Sequence, residues 1–203
     1  MVKILTTNFA DILGCIDDAL NSKENILIAI DGSSASGKTS LGKFLEKTYD
    51  CNLFQMDDFF LTPSQKTSQR LNEVGGNVDY DRFKHQVMDI IKNADTSFFY
   101  DKYNCKTGEF IKSQEITPKR LNIVEGVYSM HPTYSQQYDI KIGLYIEKQQ
   151  QYDRILNRNG MLMLERFRNE WIPLEDTYFE KCNIFEQCNI VVDTTNIHIP
   201  LGN

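Results

Sequence analysis

Eight consecutive residues, Gly32-Ser33-Ser34-Ala35-Ser36-Gly37-Lys38-Thr39, fit the pattern G-x-x-x-x-G-K-[ST]. Their flanks constrain the fold more than the pattern does. The apolar run Ile26-Leu27-Ile28-Ala29-Ile30 reads as a buried parallel strand. After the loop, Leu41, Phe44 and Leu45 fall on one face of a helix. Strand, glycine loop and helix, in that order, aim backbone N–H groups and a helix N-terminus at a phosphate anion. Residues Gly32, Ser33, Ser34, Ala35, Ser36, Gly37, Lys38 and Thr39, with Ser40 next in line, are therefore expected to hold the phosphates of a nucleoside triphosphate. Lys38 should reach the β- and γ-phosphates, and the Thr39 hydroxyl should hold Mg²⁺.

The chain has 203 residues, room for one α/β domain with a real core. Its net charge of −6 argues against a general nucleic-acid binder, which needs a clustered basic face. No apolar run approaches the roughly 18 residues of a membrane span. The start, Met1-Val2-Lys3-Ile4-Leu5, lacks the long apolar segment of a secretion signal. The five cysteines lack C-x-x-C spacing and read as free thiols of a cytoplasmic protein. Neither nucleic acid nor membrane is expected as a partner; a small-molecule substrate is, and a homo-oligomer is left open.

Taken in order, residues 8–22 carry apolar positions at helical spacing, with Asn8 as the N-cap and the helix against the sheet edge. A short strand over 52–56 ends in Asp57 and Asp58, which are followed by Phe59 and Phe60. Ligands of open parallel sheets bind beyond the carboxyl ends of strands, so a carboxylate there can face the transferred phosphate. If the backbone is extended at this point, the two carboxylates should point to opposite sides. Residues 61–78 read as a polar surface loop and 79–92 as a helix, where Asp79 or Asp81 can be a helix-start carboxylate and His85 a surface histidine. Residues 97–109 suggest an aromatic β-hairpin. Leu121–Glu125 is another strand ending in an acid, with Glu125 preferred over Asp193 as the residue that orients Mg²⁺. Residues 138–147 form a further strand, and 189–195 close the sheet. Over approximately 148–180 the arginines suit a helical lid: Arg154 and Arg158 share a helix face, and Pro173 should break any helix at that point.

Together these pieces resemble the uridine kinase family, within the wider group that includes phosphoribulokinase and pantothenate kinase. The resemblance rests on Asp31–Thr39, Met56-Asp57-Asp58-Phe59-Phe60, Asn77–Phe83, Tyr100-Asp101, Ile123–Gly126 and Arg154-x-x-x-Arg158, over about residues 25–195. It implies a P-loop NTPase fold, a three-layer α/β/α single domain with a parallel sheet, helices on both faces and a helical lid. It further implies an ATP- and Mg²⁺-dependent kinase acting on a small-molecule primary hydroxyl, such as that of uridine or cytidine. Asp57 would be the catalytic base, with Lys38, Arg154 and Arg158 also catalytic. Asp57, Phe59, Asp79, Tyr100 and Arg158 would contact the substrate, and Thr39, Glu125 and Asp57 the metal. Nucleoside-specific members carry a His-Pro where this chain has Asp79-Tyr80, and a His where it has Cys105. Pantothenate, a sugar or another small alcohol is therefore the alternative acceptor. A GTPase-type switch is less favoured, because no D-x-x-G or N-K-x-D follows Lys38.

Overall fold

The computed structural model describes residues 4–6, 8–92 and 95–197. The chain runs β1 (Ile4–Thr6), α1 (Ala10–Ser22), β2 (Ile26–Gly32), α2 (Lys38–Thr48) and β3 (Cys51–Gln55). After two short helical turns come α3 (Ser68–Leu71), α4 (Tyr80–Phe83), a π turn over Lys84–Met88, and α5 (Asp89–Ile91). The hairpin β4 (Asp101–Asn104) and β5 (Glu109–Lys112) follows, then β6 (Leu121–Glu125) and β7 (Ile140–Tyr145). The last third holds α6 (Lys148–Asn159), α7 (Met161–Arg166), α8 (Ile172–Lys181), α9 (Ile184–Gln187) and β8 (Ile190–Asp193).

Six strands form one parallel sheet in the order β1-β8-β7-β2-β6-β3. All of β2 is buried, as a central parallel strand covered on both faces must be. Its side chains alternate between two cores. Ile26, Ile28 and Ile30 pack with Ile12 and Ile16 of α1 and Leu41 and Leu45 of α2. Leu27 and Ala29 face the other side, toward Phe83, Val87, Met88, Tyr178 and Phe179. The expected α/β/α layering is therefore present.

Several local expectations are corrected. The helix α1 lies over a sheet face rather than the edge, sharing its core with residues of β2, β3, β6, β7 and β8. Its N-cap falls at Phe9, although the Asn8 side chain still accepts the Ala10 N–H at 3.0 Å. The sheet closes on β1, a three-residue strand beyond β8, too short to stand out as a pattern. Strands β7 and β6 flank β2, and β3 lies beyond β6. Pro173 does not end the lid helix. It sits in the first turn of α8, directly after a π turn over Phe167–Trp171, so the wider turn accommodates the missing proline N–H inside a continuous helical stretch.

Candidate active site

At the carboxyl end of β2 the chain must turn sharply under its neighbour. A Cβ on Gly32 would lie 2.2 Å from the Leu144 carbonyl oxygen, so only glycine fits. The loop then winds around its own lysine: Lys38 is buried and donates to the carbonyls of Gly32 at 2.8 Å and Ser33 at 2.9 Å. Three successive loop carbonyls are taken from behind. Gln151 donates to Ser34 O at 3.0 Å, Arg154 to Ala35 O at 3.2 Å, and the Thr194 hydroxyl to Ser36 O at 2.9 Å. Ala35 has φ +63° and Gly37 φ +101°, departures from the right-handed region that turn successive N–H groups into an anion-binding concavity. The Ser36 hydroxyl is buried with no partner among the described residues. An orphan donor in a loop that also presents Lys38 fits a phosphate group.

Four carboxylates feel the Lys38 charge: Asp31, Asp57, Glu125 and Glu175. Asp31 is wholly buried. It accepts from Gly32 N at 2.7 Å, Met130 N at 2.9 Å and the Tyr178 hydroxyl at 2.7 Å, and burial nonetheless holds its pKa above the usual aspartate range. Glu125, at the end of β6, accepts from Gln55 Nε2 at 3.1 Å and from the Thr39 side chain. Its pKa too is raised by burial, with Lys38 opposing. Behind it Gly126 (φ +142°) lets the chain pass Met56, whose Cβ would be 2.7 Å from an added one.

Asp57 lies on the 3-10 turn Met56–Phe59 just past β3, so its neighbour Asp58 is set by turn geometry and not by strand alternation. The Asp57 side chain is open to solvent although protein rises around most of it. Desolvation by those walls pushes its pKa up, Asp58 adds to this, and Lys38 and Arg158 oppose it. Water at the open tip tempers the shift.

The structure thus brings Lys38, Thr39, Glu125, Asp57 and Arg158 into one electrostatic neighbourhood. It separates others from it. Phe59 is wholly buried, stacked on Tyr100 at 5.4 Å and edge-on to Phe83, so it is core and offers no face to a substrate. Tyr100 is buried as well, its hydroxyl donating to Asp58 at 2.9 Å. Arg154 donates to the carbonyls of Ala35, Thr194, Thr195 and Ile197, which leaves it bracing the loop and the C-terminal segment rather than aimed at a phosphate. Asp79 caps α4 through Arg82 N at 3.0 Å and also accepts from Gln65 at 2.9 Å, the helix-start role. Asp193 accepts from Thr195 N at 2.9 Å, a local turn contact. His85 is exposed beside Asp89.

Sequence reasoning missed Asp31, Gln151 and Glu175. Asp31 directly precedes Gly32 and ends an apolar strand, which was a usable signal. The partners of Gln151 and Glu175 lie more than a hundred residues away, and no local pattern marks them.

The chemistry of the donor set suits Mg²⁺. It is all oxygen, with one hydroxyl and two carboxylates, and this ion keeps waters and substrate phosphates as its other ligands. Among the described residues no three His, Cys, Asp or Glu converge into an all-protein metal cage, and no helix is long and apolar enough to cross a membrane.

No protein-family profile matches the chain, and neither does any curated protein. Solved structures do. A possible uridine kinase from Bacillus stearothermophilus is 21% identical with a TM-score of 0.67, over 90% of this chain and 96% of that one. A proposed fructose transport system kinase from Silicibacter sp. TM1040 is 16% identical with a TM-score of 0.70, over 92% and 99%. YFH7 from Saccharomyces cerevisiae, a proposed P-loop kinase with a circular permutation, is 14% identical with a TM-score of 0.60, over 93% and 98%. The chain has the uridine kinase-like fold of P-loop kinases.

Proposed function

We propose that the protein is an ATP- and Mg²⁺-dependent kinase that passes the γ-phosphate to a primary hydroxyl of a small molecule, a nucleoside first among the candidates. The observation that carries this reading is the placement of Asp57. It is a solvent-open carboxylate at a strand end, in the fields of both Lys38 and Arg158.

Phosphoryl transfer asks the protein for alignment and charge neutralisation more than for covalent chemistry. The concave loop and Lys38 hold the phosphates. Thr39, with Glu125 and Asp57, would hold Mg²⁺, which neutralises phosphate charge when bound. Asp57 accepts the proton of the attacking hydroxyl, and Arg158 faces the charge that spreads over the transferring group. Asp58 is restrained by Tyr100 and by Lys102 at 3.1 Å, so it shapes the turn that presents Asp57.

A cavity of ≈ 660 Å³ opens next to Asp79, lined among others by Arg70, Glu73, Asp81 and His131; neither Asp57 nor a phosphate-loop residue lines it. Its mix of acids, bases and one stacked pair, Tyr80 on His131 at 4.3 Å, suits a hydrogen-bonding molecule. Asp79 caps α4 and Cys105 is exposed at the two positions where nucleoside-specific kinases carry histidine. This favours, as a second reading, the same reaction on pantothenate, a sugar or another small alcohol. A coupled ADP-release screen over nucleosides, pantothenate and sugar alcohols tests both, with Lys38→Ala as the blank. Acceptor-dependent ADP release that Lys38→Ala abolishes supports the kinase. Its absence across the screen argues against this acceptor class.

A further inference from the structure

Glu175 belongs to α8 of the lid, yet its carboxylate lies on the phosphate loop. Oε2 accepts the Ser34 N–H at 2.9 Å, and Oε1 accepts the Ser34 hydroxyl. The side chain is 4% exposed. With the Ser34 carbonyl taken by Gln151, every polar group of Ser34 is committed to the lid. A carboxylate bound to a backbone N–H and a hydroxyl of an anion-binding loop, within the field of Lys38, presents the same chemistry as a phosphate oxygen.

We propose that Glu175 is an internal anion that fills part of the phosphate loop, and that the phosphates of the nucleotide displace it, so that loading the loop releases the lid helix from Ser34. The inference rests on the reading of this loop as a nucleotide site. Two physical arguments support displacement over co-occupancy. An anion bound nearby repels a polyphosphate through a low-dielectric interior. Lys38 is also shared by three other carboxylates, so it cannot offset every negative charge at once. Lys148 on α6 attracts the Glu175 carboxylate, and the Tyr128 hydroxyl in the loop after β6 feels its charge. Glu175 is therefore a positioning residue, and its effect should appear in binding before it appears in chemistry.

The test uses two variants and calorimetric titration with Mg²⁺-tripolyphosphate and with Mg²⁺-ATP. Glu175→Gln can keep both contacts, its carbonyl accepting the Ser34 N–H and its amide donating to the hydroxyl, while losing the charge. Glu175→Asp keeps the charge and is one methylene too short to hold both. Both should bind tripolyphosphate and ATP more tightly than wild type, Glu175→Gln by about tenfold, one unit of an equilibrium constant on the logarithmic scale. Folded variants that bind equally or more weakly would overturn the inference and leave the kinase reading standing. If wild type binds neither ligand, both fall. Should the variants not fold, amide exchange over α8 in wild type decides: tripolyphosphate should speed it, and unchanged or slower exchange overturns the proposal.

Discussion

The Tyr100 hydroxyl donates to Asp58 Oδ2 across 2.9 Å, and that one bond separates the roles of two adjacent carboxylates. Asp58, also paired with Lys102, is held against the hairpin, while Asp57 remains open and in the field of Lys38. Tyr100→Phe should leave a buried aromatic ring in place and loosen Asp58. We expect a loss of about 1.5–3 kcal/mol, the range for a hydrogen bond to a charged group. The fall in kcat should be much smaller than for any change at Asp57. Denaturant midpoints and steady-state rates on the same preparation check this. A Tyr100→Phe enzyme of full stability and little activity would put Tyr100 back at the substrate.

The two lid arginines should fail in different ways. Arg154 joins the loop carbonyl of Ala35 to Thr194, Thr195 and Ile197, so Arg154→Lys should lower the melting temperature first. Arg158 is exposed and faces Asp57 electrostatically. Arg158→Ala should leave stability unchanged and lower kcat by about 10³-fold, the lower end for a transition-state arginine. Arg158→Lys should recover only part of that, because a point charge does not replace a planar fork. Equal kcat in wild type and Arg158→Ala would make this a solvated helix face.

Stability of the nucleotide-free protein should fall as pH rises above the ordinary carboxylate range, about 4. Asp31 and Glu175 both have folded pKa values raised, by burial in the first place. The folded state then holds protons that the unfolded state has already released. The stability these groups contribute is complete below their unfolded pKa values and is lost as pH climbs through the raised folded ones. Melting curves from pH 4.5 to 8 should show this decline, to which Asp57 and Glu125 add in the same direction, and it should be shallower in Glu175→Gln, which lacks one of the four groups. An equal slope in both proteins would show that Glu175 does not titrate differently on folding.

The sequence made the loop and its flanks legible because their chemistry is local. Glycines, a lysine and a hydroxyl at fixed spacing between an apolar run and a helix specify one arrangement. The strand-end acids Asp57 and Glu125 were legible for the same reason. Burial was not. Phe59 and Phe60 are adjacent, and only the sense of a 3-10 turn puts Phe59 wholly in the core and Phe60 at its margin. The acceptors of Arg154 include carbonyls about forty residues further along the chain, and those of Gln151 and the donors to Glu175 lie more than a hundred away. Contacts of that kind depend on how the lid packs on the loop. The π turn before Pro173 shows the same limit: proline propensity predicts a break, and a wider helical turn absorbs it.

The central claim is that Asp57 accepts the proton of the attacking hydroxyl, and Asp57→Asn tests it most directly. Asparagine keeps the size and hydrogen-bonding shape of the side chain and removes its basicity. With the acceptor found in the screen, kcat should drop by about 10²–10⁴-fold, the usual reach of general-base catalysis. Mg²⁺-ATP affinity measured by calorimetry should fall far less than kcat, because Thr39 and Glu125 remain to hold the ion, and Asp58→Asn should be milder on both counts. An Asp57→Asn enzyme with near-wild-type kcat, or an Asp58→Asn enzyme more damaged than it, would contradict the account.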